Sequence, residues 1–146
     1  MKVEIFSRAA MEKFIQTAYP KNTAVICFYY KIKPDFYPTA CNLIYYVNIP
    51  DIDKELLEKY GYTYDTYIED SDSLAEFIYN AKRHGFDIIC QCDYGQSRSA
   101  ACAAAILQHF ERRGIEIFAD YRYYPNQLVY HRVIEALERY KKQQAT

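Results

Sequence analysis

Apolar positions recur along this chain with two alternating periods, and each change of period marks a change of element. Val3-Glu4-Ile5-Phe6 opens as a short strand. Ser7 is placed to cap a helix whose apolar stripe is Met11, Phe14, Ile15 and Ala18. Pro20-Lys21-Asn22 ends that helix. Ala24 to Tyr30 is a near-continuous apolar run, the pattern of a strand buried on both faces. Pro34 and Pro38 punctuate a loop, and Leu43 to Ile49 reads as the next strand, stopped by Pro50. Asp53 to Tyr60 has the spacing of a short helix, and the polar, tyrosine-rich stretch from there to Asp72 predicts irregular structure. Ser73-Leu74-Ala75-Glu76 has the form of a capping box. The helix behind it puts Leu74, Phe77, Ile78 and Ala81 on one face and is closed by Gly85. Asp87 to Cys92 is a short strand. Arg98 to Arg113 is an alanine-rich helix closed by Gly114. Pro125-Asn126 opens a last helix striped by Val129, Val133, Ala136, Leu137 and Tyr140.

Strands and helices alternate, which predicts an α/β layer fold with a mainly parallel sheet and right-handed crossovers. The 146 residues fit one domain spanning 1–146, large enough for a core without disulfides or metal. Hydrophobic residues make up 51% and charged residues 25%, which excludes a disordered chain. A net charge of −1 argues against a nucleic-acid binder. No apolar run approaches the roughly 20 residues of a membrane span. The charge inside the apolar start speaks against a signal peptide. Five cysteines without a secretion signal predict reduced thiols in a cytoplasmic protein. The 17 tyrosines, set against no tryptophan, suit amphipathic packing at core edges.

One segment changes the picture: Cys92-Asp93-Tyr94-Gly95-Gln96-Ser97-Arg98-Ser99. A cysteine ends a strand, a turn with a central glycine follows, and an arginine and a serine open a helix. Such a turn is an anion cradle. The first N–H groups of a helix lack intrahelical partners and point outward with the positive end of the dipole. The turn aims further N–H groups into the same hollow, and Gly95 permits a backbone conformation that other residues resist. Arg98 offers a planar fork matched to two phosphate oxygens. A cysteine at the floor of this cradle has its thiolate stabilised and faces a bound phosphate in line. A bare Cys-x5-Arg arises readily by chance; the added glycine and serine, with a strand before and a helix after, make the pattern specific.

This Cys-x-x-Gly-x-Ser-Arg-Ser run resembles the signature loop of the cysteine-dependent protein-tyrosine phosphatases, in their dual-specificity-like branch. Tyr124-Pro125-Asn126 before an amphipathic helix is similar to that family's C-terminal part, so the resemblance spans about residues 73–140. It implies a central sheet of four or five mostly parallel strands with helices on both sides. It implies that Cys92 attacks phosphorus and becomes a phosphocysteine. Backbone N–H groups of Asp93, Tyr94, Gly95, Gln96, Ser97 and Arg98 would then hold the phosphate oxygens, and Arg98 would clamp two of them. Ser99 would support the Cys92 thiolate as it leaves. An aspartate on a loop after an earlier strand would act as general acid: Asp51 first, Asp53 second, with Asp65, Asp70 and Asp72 also in reach along the sequence. No metal or cofactor is implied.

The sequence departs from the family in having Gln91 where a histidine usually precedes the cysteine. A glutamine amide donates a hydrogen bond but carries no charge. The remaining thiols read as bland: Cys27, Cys41 and Cys102 as small core residues, and Cys90 as facing the same side as Cys92, deeper in the core. His84, His109 and His131 read as surface or packing residues. The expectation is thus a monomeric cytoplasmic phosphomonoesterase acting on a phosphorylated protein or a small phosphate ester, with phosphate, sulfate or vanadate as active-site anions. It implies no nucleic-acid or membrane partner. A phosphatase of a nucleotide, an RNA 5′ end, a sugar or a lipid is the first alternative. A pseudophosphatase that binds phosphorylated partners is the second.

Overall fold

The two-sided apolar run and the run that ends at Cys92 occupy the middle of one sheet, as residues buried on both faces must. In the computed structural model, which describes residues 1–17, 22–37 and 43–145, four strands pair in the order β1-β4-β2-β3. They are β1 (Val3–Phe6), β2 (Thr23–Tyr29), β3 (Ile44–Asn48) and β4 (Asp87–Gln91). Every pairing is parallel. The sheet expected from the resemblance is present with four strands. The Ala18 end of the first helical stripe, Pro38 and Cys41 lie outside the described residues.

Alternation along the strands sends side chains to two packing layers. On one face Val25 and Ile89 meet Met11 of α1 (Arg8–Thr17), with Phe14 and Ile15 beside it. Ser7 caps α1 as expected: its Oγ accepts from the Ala10 N–H at 3.1 Å. On the other face Ala24, Ile26, Phe28, Ile88 and Cys90 pack into the larger core. Three helices close this core: α2 (Ser71–Arg83), α3 (Arg98–Glu111) and α5 (Gln127–Gln144). The alanines of α3 are buried, and their small side chains let α3 lie centrally between the sheet and α5.

Three local expectations are corrected. First, α2 starts at Ser71, two residues before the Ser73 capping box. The Ser71 hydroxyl is buried and accepts from Arg132 and Arg139 of α5, which draws the first turn forward. Second, α3 stops at Glu111 with Arg112, not Gly114, in the left-handed region at φ 59°. Gly114 instead lets the chain turn back on α3 into α4 (Ile115–Phe118), an element the apolar pattern did not reveal. A Cβ at Gly114 would lie 2.8 Å from the Gln108 Cβ and 2.9 Å from the Ala104 carbonyl oxygen. Third, the Asp53–Tyr60 helix is reduced to a 3₁₀ turn at Lys54–Leu56. Pro125-Asn126 opens α5 as expected, with the Asn126 side chain accepting from the Val129 N–H at 2.9 Å.

Candidate active site

A parallel sheet gathers the loops that follow its strands at one rim, and the expected site residues assemble there. The loop 92–97 joins β4 to α3. Its floor is tied to the end of β1 and the start of α1: Cys92 N–H donates to Phe6 O at 3.3 Å, and Arg8 N–H donates to Asp93 O at 3.1 Å. Gly95 has φ +67°, and a Cβ there would lie 2.7 Å from Ser7 N. Glycine is therefore required twice, for its backbone conformation and for the close approach to the β1–α1 corner. The amides of Asp93 to Ser97 find no protein acceptor among the described residues.

Cys92 sits at the base of this loop, 2% exposed, and its Sγ is 3.0 Å from Ser99 Oγ. Arg98 opens α3 and is 6% exposed. Its Nη1 donates to Ile49 O at 2.8 Å, and its Nη2 lies 3.7 Å from Asp93 Oδ2. Its buried Nε has no hydrogen-bond partner among the described residues. Asp51 follows β3 on the neighbouring loop. Ser97 Oγ donates to Asp51 Oδ1 at 2.7 Å, and Asn126 Nδ2 donates to the same oxygen at 2.8 Å. Asp51, Cys92, Tyr94, Gln96, Ser97, Arg98 and Tyr124 line one cavity of about 260 Å³.

The other candidate carboxylates lie elsewhere. Asp53 precedes the 3₁₀ turn. Asp65 faces Arg132 at 3.8 Å, Asp70 accepts from the Tyr45 hydroxyl, and Asp72 pairs with Arg139 at 2.9 Å. None of the three histidines lines the cavity.

Sequence reasoning missed the supports beneath these groups. Tyr67 is fully buried, and its hydroxyl donates to Pro50 O at 2.6 Å, fixing the residue before Asp51. Burial pushes that hydroxyl well above the usual phenol range, and the nearby Asp51 charge pushes the same way. Asn126 also donates to Ile52 O at 2.9 Å, so one amide holds both sides of the Asp51 loop. Behind the cradle, Tyr37 donates to Gln91 Oε1 at 2.7 Å and Gln91 Nε2 donates to Cys92 O at 3.1 Å. This uncharged chain stands where the resemblance leads one to expect a histidine. Nothing in the local sequence marks Tyr67 or Tyr37, which are two tyrosines among 17.

The neighbouring thiols are structural. Burial pushes the Cys27 thiol up to about 12, with Asp93 and Cys92 adding to the rise and a Tyr37 hydrogen bond opposing it. Cys90 is also raised, first by its hydrogen bond with Cys102 and then by burial. Cys27, Cys90 and Cys102 are all buried and free.

No protein-family model matches this sequence, and no curated protein matches it. Solved structures do. Human DUSP28 superposes with a TM-score of 0.55 at 17% identity, covering 97% of this chain and 94% of that one. PTPMT1 superposes at 0.54 with 13% identity, over 99% of this chain and 94% of that one. The human tyrosine phosphatase-like serine/threonine/tyrosine-interacting protein superposes at 0.50 with 18% identity, over 96% and 87%. The chain has the fold of the cysteine-dependent protein-tyrosine phosphatases of the dual-specificity-like branch.

Proposed function

We propose that this protein is a phosphomonoesterase of the protein-tyrosine or dual-specificity type, working through a phosphocysteine on Cys92. One observation carries the reading. A buried arginine whose Nε has no partner among the described residues, and a run of amides with no acceptor among them, surround a cysteine thiol in a single cavity. The orphaned Nε is buried and costly to leave so, and a tetrahedral dianion supplies acceptors to it and to the convergent amides at once. The fold shared with dual-specificity phosphatases supports the same reading.

In the first step Cys92 Sγ forms a bond to phosphorus as the ester P–O bond breaks. Arg98 and the amides hold the equatorial oxygens, and charge developing there is met by donors already in place. Asp51 gives its proton to the leaving oxygen. Both hydrogen bonds to Asp51 fall on Oδ1, which leaves Oδ2 for that proton. In the second step water attacks phosphorus, Asp51 takes the water's proton, and the S–P bond breaks. Ser99, 3.0 Å from Sγ, supports the departing thiolate. Phosphate is released and the starting state returns.

The test is hydrolysis of phosphotyrosine and p-nitrophenyl phosphate from pH 5 to 8 with EDTA present. Turnover is expected to survive EDTA and to vanish in Cys92→Ser. Asp51→Asn is expected to lower kcat on phosphotyrosine by roughly 10²–10⁴-fold, with a smaller loss on p-nitrophenyl phosphate, whose leaving group needs less protonation. Asp53→Asn should leave both rates near wild type. Absent turnover together with vanadate binding would overturn the hydrolase in favour of a phosphate-binding module. Turnover confined to nucleotide or lipid phosphates would move the substrate class.

A further inference from the structure

A second cavity, of about 400 Å³, lies between the C-terminal ends of α3 and α5. His109 and Arg112 line it from α3 and its cap, and Glu138, Lys141 and Lys142 line it from α5. Arg98 and His109 sit near opposite ends of α3, about 16 Å apart along a helix that rises 1.5 Å per residue. The cavity is thus remote from the cradle.

Its cations have no partners. The side chains of Arg112, Lys141 and Lys142 make no ion pair or hydrogen bond among the described residues, whereas their neighbours Arg113 and Arg139 each pair with a carboxylate. Three cations face one carboxylate, Glu138, so the lining carries a formal +2 on a chain whose net charge is −1. Helix dipoles favour cations at these ends, but they do not account for Arg112. It caps α3 at φ 59°, the left-handed conformation that favours glycine. Arg113, one residue on, supplies a cation to the same helix end without that cost. A strained position that carries the cavity's only guanidinium points to a use for it. The same charges act on His109, which Tyr79 and Lys82 also face from α2. Burial lowers its pKa first, Lys141, Lys82 and Arg112 lower it further, and Glu138 opposes them.

We propose that this cavity is a second anion site, which takes the dianionic phosphate of a phosphate monoester. The inference goes beyond the phosphomonoesterase reading and does not rest on it. A dianion matches the formal +2, while a monoanion gains less against Glu138 and two helix C-termini. The Arg112 fork suits two phosphate oxygens, and the two lysines add point charges. The volume exceeds that of a bare phosphate, and Ile134 gives the body of an ester an apolar wall.

The test is NMR of the full chain. The His109 ring reports this cavity and the amides of Asp93 to Arg98 report the cradle, so the two are read apart. The first probe is propylphosphonate, a monoester analogue whose C–P bond is not hydrolysed. It is expected to move the His109 signals. The second is sulfate, which stays dianionic from pH 5 to 8 and is expected to move the His109 titration to higher pH. Arg112→Gly is expected to weaken binding at His109 roughly ten-fold, the worth of a hydrogen bond to a charged group. That variant relieves the left-handed strain, so its loss of binding is not a loss of fold. Glu138→Gln is expected to tighten binding roughly two- to five-fold. Lys59→Gln removes an exposed cation away from the cavity and should change nothing. Sedimentation with phosphatidylcholine vesicles, with and without phosphatidic acid, tells a lipid headgroup from a soluble ester. Either source upholds the site if Arg112→Gly weakens it. His109 signals that stay fixed in millimolar propylphosphonate, with no sedimentation on phosphatidic acid, overturn the inference. So does equal binding by wild type and Arg112→Gly. Movement of the cradle amides alone overturns this site and leaves the hydrolase standing. Movement of His109 alone upholds it and counts against the cradle.

Discussion

At the scale of single residues, the groups of the proposed site are held in place by their neighbours. Asp51 has two donors on one oxygen and a loop pinned by Tyr67 and Asn126. Asn126→Ala removes a donor from each side of that loop. It is expected to lower kcat about 10²-fold with little change in KM, since small misplacement of a reacting group costs that much. A parallel rise in KM would show that Asn126 serves binding. Asp93 makes the opposite case. Its carboxylate lies 3.7 Å from Arg98 Nη2 and is half-exposed, so it competes with an incoming dianion for that arginine. Asp93→Asn is expected to lower KM by roughly two- to five-fold, the range of a solvent-exposed ion pair. An unchanged or higher KM would contradict this.

At the scale of elements, the chain's apolar periods give every strand and four of the five helices, because burial on one or two faces is written directly into them. What they miss is decided at longer range. The start of α2 is set by arginines on α5, more than 60 positions away. The end of α3 is set by the fit of Gly114 against Gln108 and Ala104. Arg112 consequently takes the left-handed conformation that favours glycine. Arg112→Gly is expected to stabilise the fold by about 1 kcal/mol, the cost of that conformation for a residue with a Cβ. Gly114→Ala should destabilise it, because the added carbon meets backbone at 2.9 Å. Urea unfolding midpoints decide both, and a stabilised Gly114→Ala would show that α4 can shift freely. The cradle loop was legible for a different reason. The proposed chemistry needs Cys92, Gly95, Arg98 and Ser99 at fixed spacing, so the pattern is written into one short run of sequence. The proposed acid, Asp51, was legible only as a choice among aspartates, since its loop meets the cradle through folding and not through spacing.

At the scale of the whole molecule, one rim of the parallel sheet carries the proposed site and the opposite end carries helix C-termini rich in cations. His109 lies at that far end, beside the Tyr79 hydroxyl. Its pKa is lowered from 6.5, first by burial and then by Lys141, with Lys82 and Arg112 adding and Glu138 opposing. The folded state therefore holds this imidazole neutral more strongly than the unfolded state does. Its contribution to stability is complete above about pH 6.5 and is lost as pH falls through the lowered folded value. The urea midpoint is expected to fall below pH 6.5 in the wild type and to fall less in His109→Gln. Identical pH profiles for the two proteins would remove His109 from the account.

The central claim is covalent, so the most direct measurement is covalent as well. Ser99→Ala removes the hydroxyl beside Cys92 Sγ, which in the proposed mechanism slows breakdown of the intermediate more than its formation. Acid-quenched turnover of phosphotyrosine by this variant, read by peptide mass, is expected to show one phosphoryl group on the peptide bearing Cys92. Turnover with that peptide unmodified, or with the phosphoryl group on another residue, would contradict the account.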